Sequence, residues 1–126
     1  MAKTKDLSEK AKLKNSIGAL KHALSFEKES KKDAFYFSGI SKSFESAIEY
    51  AIKYLKRRAQ DEGLDPYSPR EAIKLAGRLG LIENVELWLS FMDTRNLSVH
   101  DYLEIEPAEY LKLIKTFYRE AVVLAK

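Results

Sequence analysis

The chain has 126 residues, enough for one domain and not two, and its 22 Lys and Arg against 19 Asp and Glu leave a net charge of +3, too little to coat a nucleic acid or a membrane by charge alone. Hydrophobic residues make up 45% of it, so a packed core is expected, while 5 glycines and 3 prolines disfavour turn-rich sandwiches and barrels and favour long helices. The absence of cysteine excludes disulfides, iron–sulfur clusters, thiolate zinc sites and cysteine nucleophiles, and with only 2 histidines neither a metal nor a cofactor is expected.

Met1 to Lys14 interleaves small residues with charges and lacks an apolar core, so it reads as neither a signal peptide nor a membrane anchor. The longest uncharged run, Ala34 to Ser41, is far short of the ~20 apolar residues that span a bilayer. A soluble, cytoplasmic protein with no membrane partner is the expectation. The first helix is predicted to begin at Asp6, with Glu9 three residues on as a capping box. Leu13, Ile17, Leu20 and Leu24 then recur at spacings of four, three and four and mark one apolar face.

The basic stretch from Lys28 to Lys32, with Asp33, reads as a turn. A longer helix follows, with Phe37, Ile40, Phe44, Ala47, Ala51 and Leu55 on one face and Ile48 and Ile52 beside it. Lys56, Arg57 and Arg58 suit its C-terminus, and Gly63 is placed to cap it. Leu64 to Tyr67 reads as loop. Ser68-Pro69-Arg70-Glu71 combines an N-cap serine, a proline at the first helical position and a capping-box glutamate. It opens a short helix through Ile73, Ala76 and Leu79 that Gly80 stops. A further helix starts near Asn84 and carries Leu87, Trp88, Phe91 and Met92. Glu106-Pro107 opens the last, striped by Tyr110, Ile114, Phe117, Ala121 and Leu124. No segment alternates with period two. The whole chain, residues 1–126, is read as a single all-α domain, an antiparallel up-and-down bundle of four main helices plus a short one.

Lys53, Lys56, Arg57 and Arg58 suit either a phosphate-binding patch or a solvated helix end that complements its own dipole. The 7 tyrosines mostly flank the helical stripes, as core edges or interface residues do. Trp88 reads as a packing anchor, and His22 as an ordinary surface or interface histidine. The segment from Met92 to Tyr102 is different, because an arginine (Arg95), an imidazole that titrates near neutrality (His100) and a phenol (Tyr102) fall within eight residues. On one continuous helix Arg95 and His100 would point about 140° apart. They converge on one ligand only if the helix unwinds after Asn96 or if two chains bring their copies together. A capping arginine and an unrelated histidine account for the same residues.

Arg95, His100 and Tyr102 fit the arginine, four residues, histidine, any residue, tyrosine pattern of HEPN-domain proteins. Phe44-Glu45 followed by Glu49, Ala51 and Lys53 is similar to that family's Phe-Glu…Glu-x-Ala-x-Lys helix. Ser68-Pro69-Arg70, Gly80-Leu81-Ile82, Trp88-Leu89 and Arg95-Asn96 fall in its order and approximate spacing. The resemblance covers about residues 35–118 and is to the HepT-type toxins, also described as nucleotidyltransferase substrate-binding proteins. Two departures stand out. Ile52 replaces the family's usual tryptophan, read as a core substitution, and no Ser or Thr flanks the histidine within Val99-His100-Asp101-Tyr102.

The resemblance implies a small HEPN-like helical bundle that forms a homodimer with both Arg–His motifs facing one cleft. It implies a metal-independent endoribonuclease, the toxin of a toxin–antitoxin pair whose antitoxin is a minimal nucleotidyltransferase, acting in some cases by AMP transfer to the motif tyrosine. Carried over, Arg95 holds the scissile phosphate of an RNA, His100 is general base or acid, Asn96 orients the site and Tyr102 is the candidate AMP acceptor. Glu45 and Glu49 would orient Arg95 or His100. The alternative is a non-catalytic subunit that presents substrate to a nucleotidyltransferase. The chain is not that transferase itself, since it has neither a Gly-Ser loop nor an Asp-x-Asp pair to hold Mg²⁺.

Overall fold

The computed structural model describes residues 8–96 and 106–126. Among these residues there are six α-helices and no strand: α1 (Glu9–Leu24), α2 (Glu27–Ser30), α3 (Ala34–Asp61), α4 (Pro69–Arg78), α5 (Val85–Arg95) and α6 (Pro107–Leu124). The all-helical bundle expected from the periodicity is the observed fold. The long α3 lies at its centre and packs against α1, α2, α4 and α5, while α6 packs on α1 and α5. No helix among the described residues is long and apolar enough to cross a membrane.

Two details of the N-terminal half differ from the sequence reading. The cap of α1 is Ser8, whose Oγ accepts from the Ala11 backbone N–H at 3.0 Å. Glu9 is therefore the first helical residue and cannot be the third-position partner of a cap at Asp6, which lies outside the described residues. The basic stretch after α1 is also more than a turn. It holds the single helical turn of α2, which Lys115 of α6 fastens through an ion pair to Glu27 at 3.0 Å. Asp33 then caps α3 by accepting from the Phe35 N–H at 2.9 Å.

The apolar stripes meet in a core dominated by rings. Phe117 of α6 lies edge-on to Phe44 of α3 (centroids 5.4 Å apart) and to Phe91 of α5 (5.3 Å), and Trp88 of α5 touches both Phe91 and Phe117. Edge-to-face pairs of this kind contribute about 0.5–1.5 kcal/mol each beyond their area burial. Tyr110 joins the cluster against Phe44, and its hydroxyl shares a buried 2.7 Å hydrogen bond with Ser41 Oγ, which satisfies both polar groups. Trp88 is the packing anchor the sequence suggested.

Helices α3 and α4 both end in Schellman geometry. Gly63 adopts a φ of 82° with Leu64 N–H bonded to Ala59 O, and Gly80 a φ of 77° with Leu81 N–H bonded to Ala76 O. These stops fold the chain back so that α4 and α5 lie on the same side of α3. Ser68, Pro69 and Glu71 open α4 as read, with Ser68 Oγ accepting from the Glu71 N–H at 3.1 Å. Helices α4 and α5 approach so closely at Gly77 that an added Cβ would lie 2.3 Å from Val85 Cγ2. Val85 is β-branched and stiff at χ1, so it cannot simply swing away.

Gly77→Ala is therefore expected to lower unfolding stability by about 1–3 kcal/mol in urea titration, although alanine is the better helix former. Adding Val85→Ala should recover part of that loss. Equal and additive effects of the two substitutions would contradict the contact.

Candidate functional site

The last turn of α5 delivers Arg95 to the face of α3. Its guanidinium donates to the carboxylate of Glu49, forming an ion pair between residues far apart in sequence. The Arg95 side chain is 32% exposed and that of Glu49 49%. A pair this wet contributes about 0–1 kcal/mol to stability, so its consequence is orientation. A guanidinium carries five donors in a fixed fork, and a carboxylate on one edge leaves it able to meet a phosphate on another. Asn96 is the C-cap of α5, its N–H bonded to Met92 O at 3.0 Å and Asp93 O at 3.2 Å. Helix α5 ends at Arg95.

Arg95 and Glu49 line a cleft of about 460 Å³. One wall is α3, through Glu49, Ile52, Lys53 and Lys56. The opposite side is Pro66 and Tyr67 of the α3–α4 loop with Ser68, Pro69 and Ala72 at the start of α4, and Met92, Arg95 and Asn96 of α5 complete it. Glu49, Lys53 and Lys56 stand four and three residues apart and so share a ridge of the helix. Three cations face one carboxylate among these lining residues, which makes the cleft locally positive despite the modest charge of the chain. A further ion pair, Arg70 to Asp93 at 2.7 Å, ties the first turn of α4 to α5 beside the cleft.

The basic cluster predicted from sequence is thereby divided. Lys53 and Lys56 are exposed on the cleft wall, whereas Arg57 is paired with Asp61 at 3.1 Å and Arg58 donates to Tyr54 Oη at 3.0 Å. Of the predicted site residues, Arg95, Asn96 and Glu49 are brought together. Glu45, one turn earlier on α3, is half-buried and does not line the cleft. His100 and Tyr102 lie outside the described residues. His22 is exposed, with Phe26 edge-on at 5.3 Å, as an ordinary surface histidine. Among the described residues no cluster of three or more His, Asp or Glu side chains is arranged to hold a metal ion.

Ile52 requires a correction. It packs partly against the core, but it also lines the cleft, because position 52 lies between Glu49 and Lys53 on the α3 surface. The exchange of tryptophan for isoleucine therefore changes the cleft as well as the core. Sequence reasoning also passed over Tyr67 as loop. The signal was Asp65-Pro66-Tyr67-Ser68-Pro69, an aromatic residue held between two prolines.

The family model described as nucleotidyltransferase substrate binding protein like matches residues 8–126. Among curated proteins, "Probable ribonuclease HepT" of Haemophilus influenzae is 29% identical over 70 residues, which cover 52% of this chain and 48% of that protein. The chain spans about half the length of the curated relative it matches. The family match runs from the cap of α1 through α6 and takes in both sides of the Glu49–Arg95 cleft, and the chain belongs to this HepT-type family of nucleotidyltransferase substrate-binding-like proteins.

Proposed function

We propose that the chain is the ribonuclease toxin of a toxin–antitoxin pair, cleaving RNA without a metal as a homodimer and neutralised by a cognate minimal nucleotidyltransferase. The observation that carries this reading is the placement of Arg95 in the last turn of α5, oriented by Glu49 inside a positive cleft. The relative named as a ribonuclease supports it. In this reading His100 takes the proton from a ribose 2′-hydroxyl, and the freed oxygen attacks the adjacent phosphorus. The bond from phosphorus to the 5′-oxygen breaks, and that oxygen leaves with a proton from a general acid. Two copies of His100 in a dimer cleft supply the base and the acid. Arg95 balances the charge that builds on the non-bridging oxygens, and Asn96 and Glu49 keep it in place. Every step is met by a cation and proton-transfer groups.

The family description favours a second reading, in which the cleft holds substrate for a partner nucleotidyltransferase and cleaves nothing. Total RNA incubated with the purified dimer separates the two. Cleavage that survives EDTA and falls about 10²–10⁴-fold in His100→Ala and in Arg95→Ala supports the ribonuclease, since removing a general acid–base or charge-stabilising group costs this much. Intact RNA from folded protein supports the presenting subunit instead.

Glu49 acts as a positioning residue here. Glu49→Ala is expected to lower kcat about tenfold or more with little change in KM, and Glu49→Gln, which keeps an acceptor for the guanidinium, to restore part of it. A pure KM effect would place Glu49 in substrate binding.

Neutralisation is assigned to AMP transfer onto Tyr102. Tyr102→Phe should keep cutting RNA but continue to do so in the presence of ATP and the partner transferase. If that variant is silenced as fully as the parent, the antidote acts by binding or through another side chain.

A further inference from the structure

The cleft holds more than the residues the cleavage reaction uses. Tyr67 is 88% exposed, the highest value among the described aromatic residues, although it stands at the rim of a cleft rather than on an open face. A large side chain left in water forgoes about 1.5–3 kcal/mol of burial, and this one is not loosely held. Pro66 beside it is buried, Ser68 is fixed as the cap of α4, and Pro69 follows in the first helical turn. Two prolines restrict φ on either side, so the ring is presented from a stiff loop and little freedom would be lost when something stacks on it.

The lysines of the opposite wall are similarly uncommitted. Neither Lys53 nor Lys56 forms an ion pair among the described residues, and the Lys53 ammonium lies 5.4 Å from the centre of the Tyr50 ring, a contact that places the charge without neutralising it. Their neighbours Arg57 and Arg58 are occupied elsewhere. Along α3 the rise of 1.5 Å per residue puts Lys56 about 10 Å beyond Glu49, and hence beyond Arg95. The cations form a row rather than a point, which suits a polyanion better than a single phosphate. A duplex keeps its base faces stacked on one another, whereas an unpaired strand can give a base to an aromatic ring.

We propose that Tyr67 is a base-stacking platform and that Lys53 and Lys56 hold the adjoining phosphates, so that the cleft takes a single-stranded RNA segment running from Arg95 along α3 to the α3–α4 loop. This rests on the reading of the cleft as an RNA site and names the form of RNA it takes.

Fluorescence anisotropy with an end-labelled, fully 2′-O-methylated single strand of about ten nucleotides, within the usual site sizes for such proteins, reads binding without cleavage. Tyr67→Ala should weaken binding roughly 5- to 150-fold, the loss of one base stack, at an unchanged salt slope. Tyr67→Phe should recover most of that affinity. Lys53→Ala with Lys56→Ala should reduce the slope of log K against log salt by about 1.4, at ~0.7 for each phosphate contact. Arg57→Ala, a charge removed outside the cleft, should leave the slope alone. The proposal is overturned if Tyr67→Ala binds like the parent, or if Arg57→Ala lowers the slope as the lysine pair does. It is also overturned if Tyr67→Ala turns a dimer into a monomer by light scattering, which would show that the ring meets a second copy of the chain. Cleavage of unmodified RNA is measured beside it. Tyr67-dependent binding without cleavage would sink the ribonuclease and leave the platform standing; cleavage indifferent to Tyr67 would do the reverse.

Discussion

The edge-on packing of Phe117 against Phe44, Trp88 and Phe91 is the contact on which the site depends. It joins α3, α5 and α6 through four rings that are at most 1% exposed. Ring pairs constrain both distance and angle, so they fix the line of α5 as well as its separation from α3. Arg95 is one turn beyond Phe91 on α5, and Glu49 is just over one turn beyond Phe44 on α3. A core that registers Phe44 with Phe91 through Phe117 therefore carries Arg95 to Glu49. The ion pair is the result of that packing and not its cause, as its exposure requires.

Charge in this protein is sorted by partner rather than by amount. A net +3 spread over the surface would do little to hold a polyanion. Pairing removes Arg57 from this pool and ties Arg58 to a phenol, while Arg70 is spent on Asp93. Lys53 and Lys56 remain on the cleft wall beside the Arg95–Glu49 pair. A local excess of cations thus arises in a chain whose composition is close to neutral.

The fold was legible because its signals are local. The stripe through Phe37, Ile40, Phe44 and Ala47, the Ser68-Pro69 cap and the glycines at 63 and 80 each act within a few residues, and each appears where expected. What was missed is either too short or too distant. Four residues of α2 cannot show a period of 3.6, and its order depends on Lys115, 88 positions away. Asp6 and Ser8 are both good caps, and only the backbone decides between them. The pairing of Glu49 with Arg95 depends on the rotation of α3 against α5, which no spacing encodes. Tyr67 looked like loop because exposure at a rim is a tertiary property.

The end of α5 fixes the place of Arg95. A helix continuing past Asn96 would hold positions 95 and 100 in a fixed phase about 140° apart, whatever the rest of the fold did. Helix α5 ends at Arg95, with Asn96 as the cap and its N–H turned back to Met92 and Asp93. Arg95 thus belongs to the packed bundle, oriented by Glu49 of α3. In the proposed reaction a charge stabiliser must be set in advance for its dipoles to act without reorganisation, and the terminal turn of a packed helix meets that demand for Arg95.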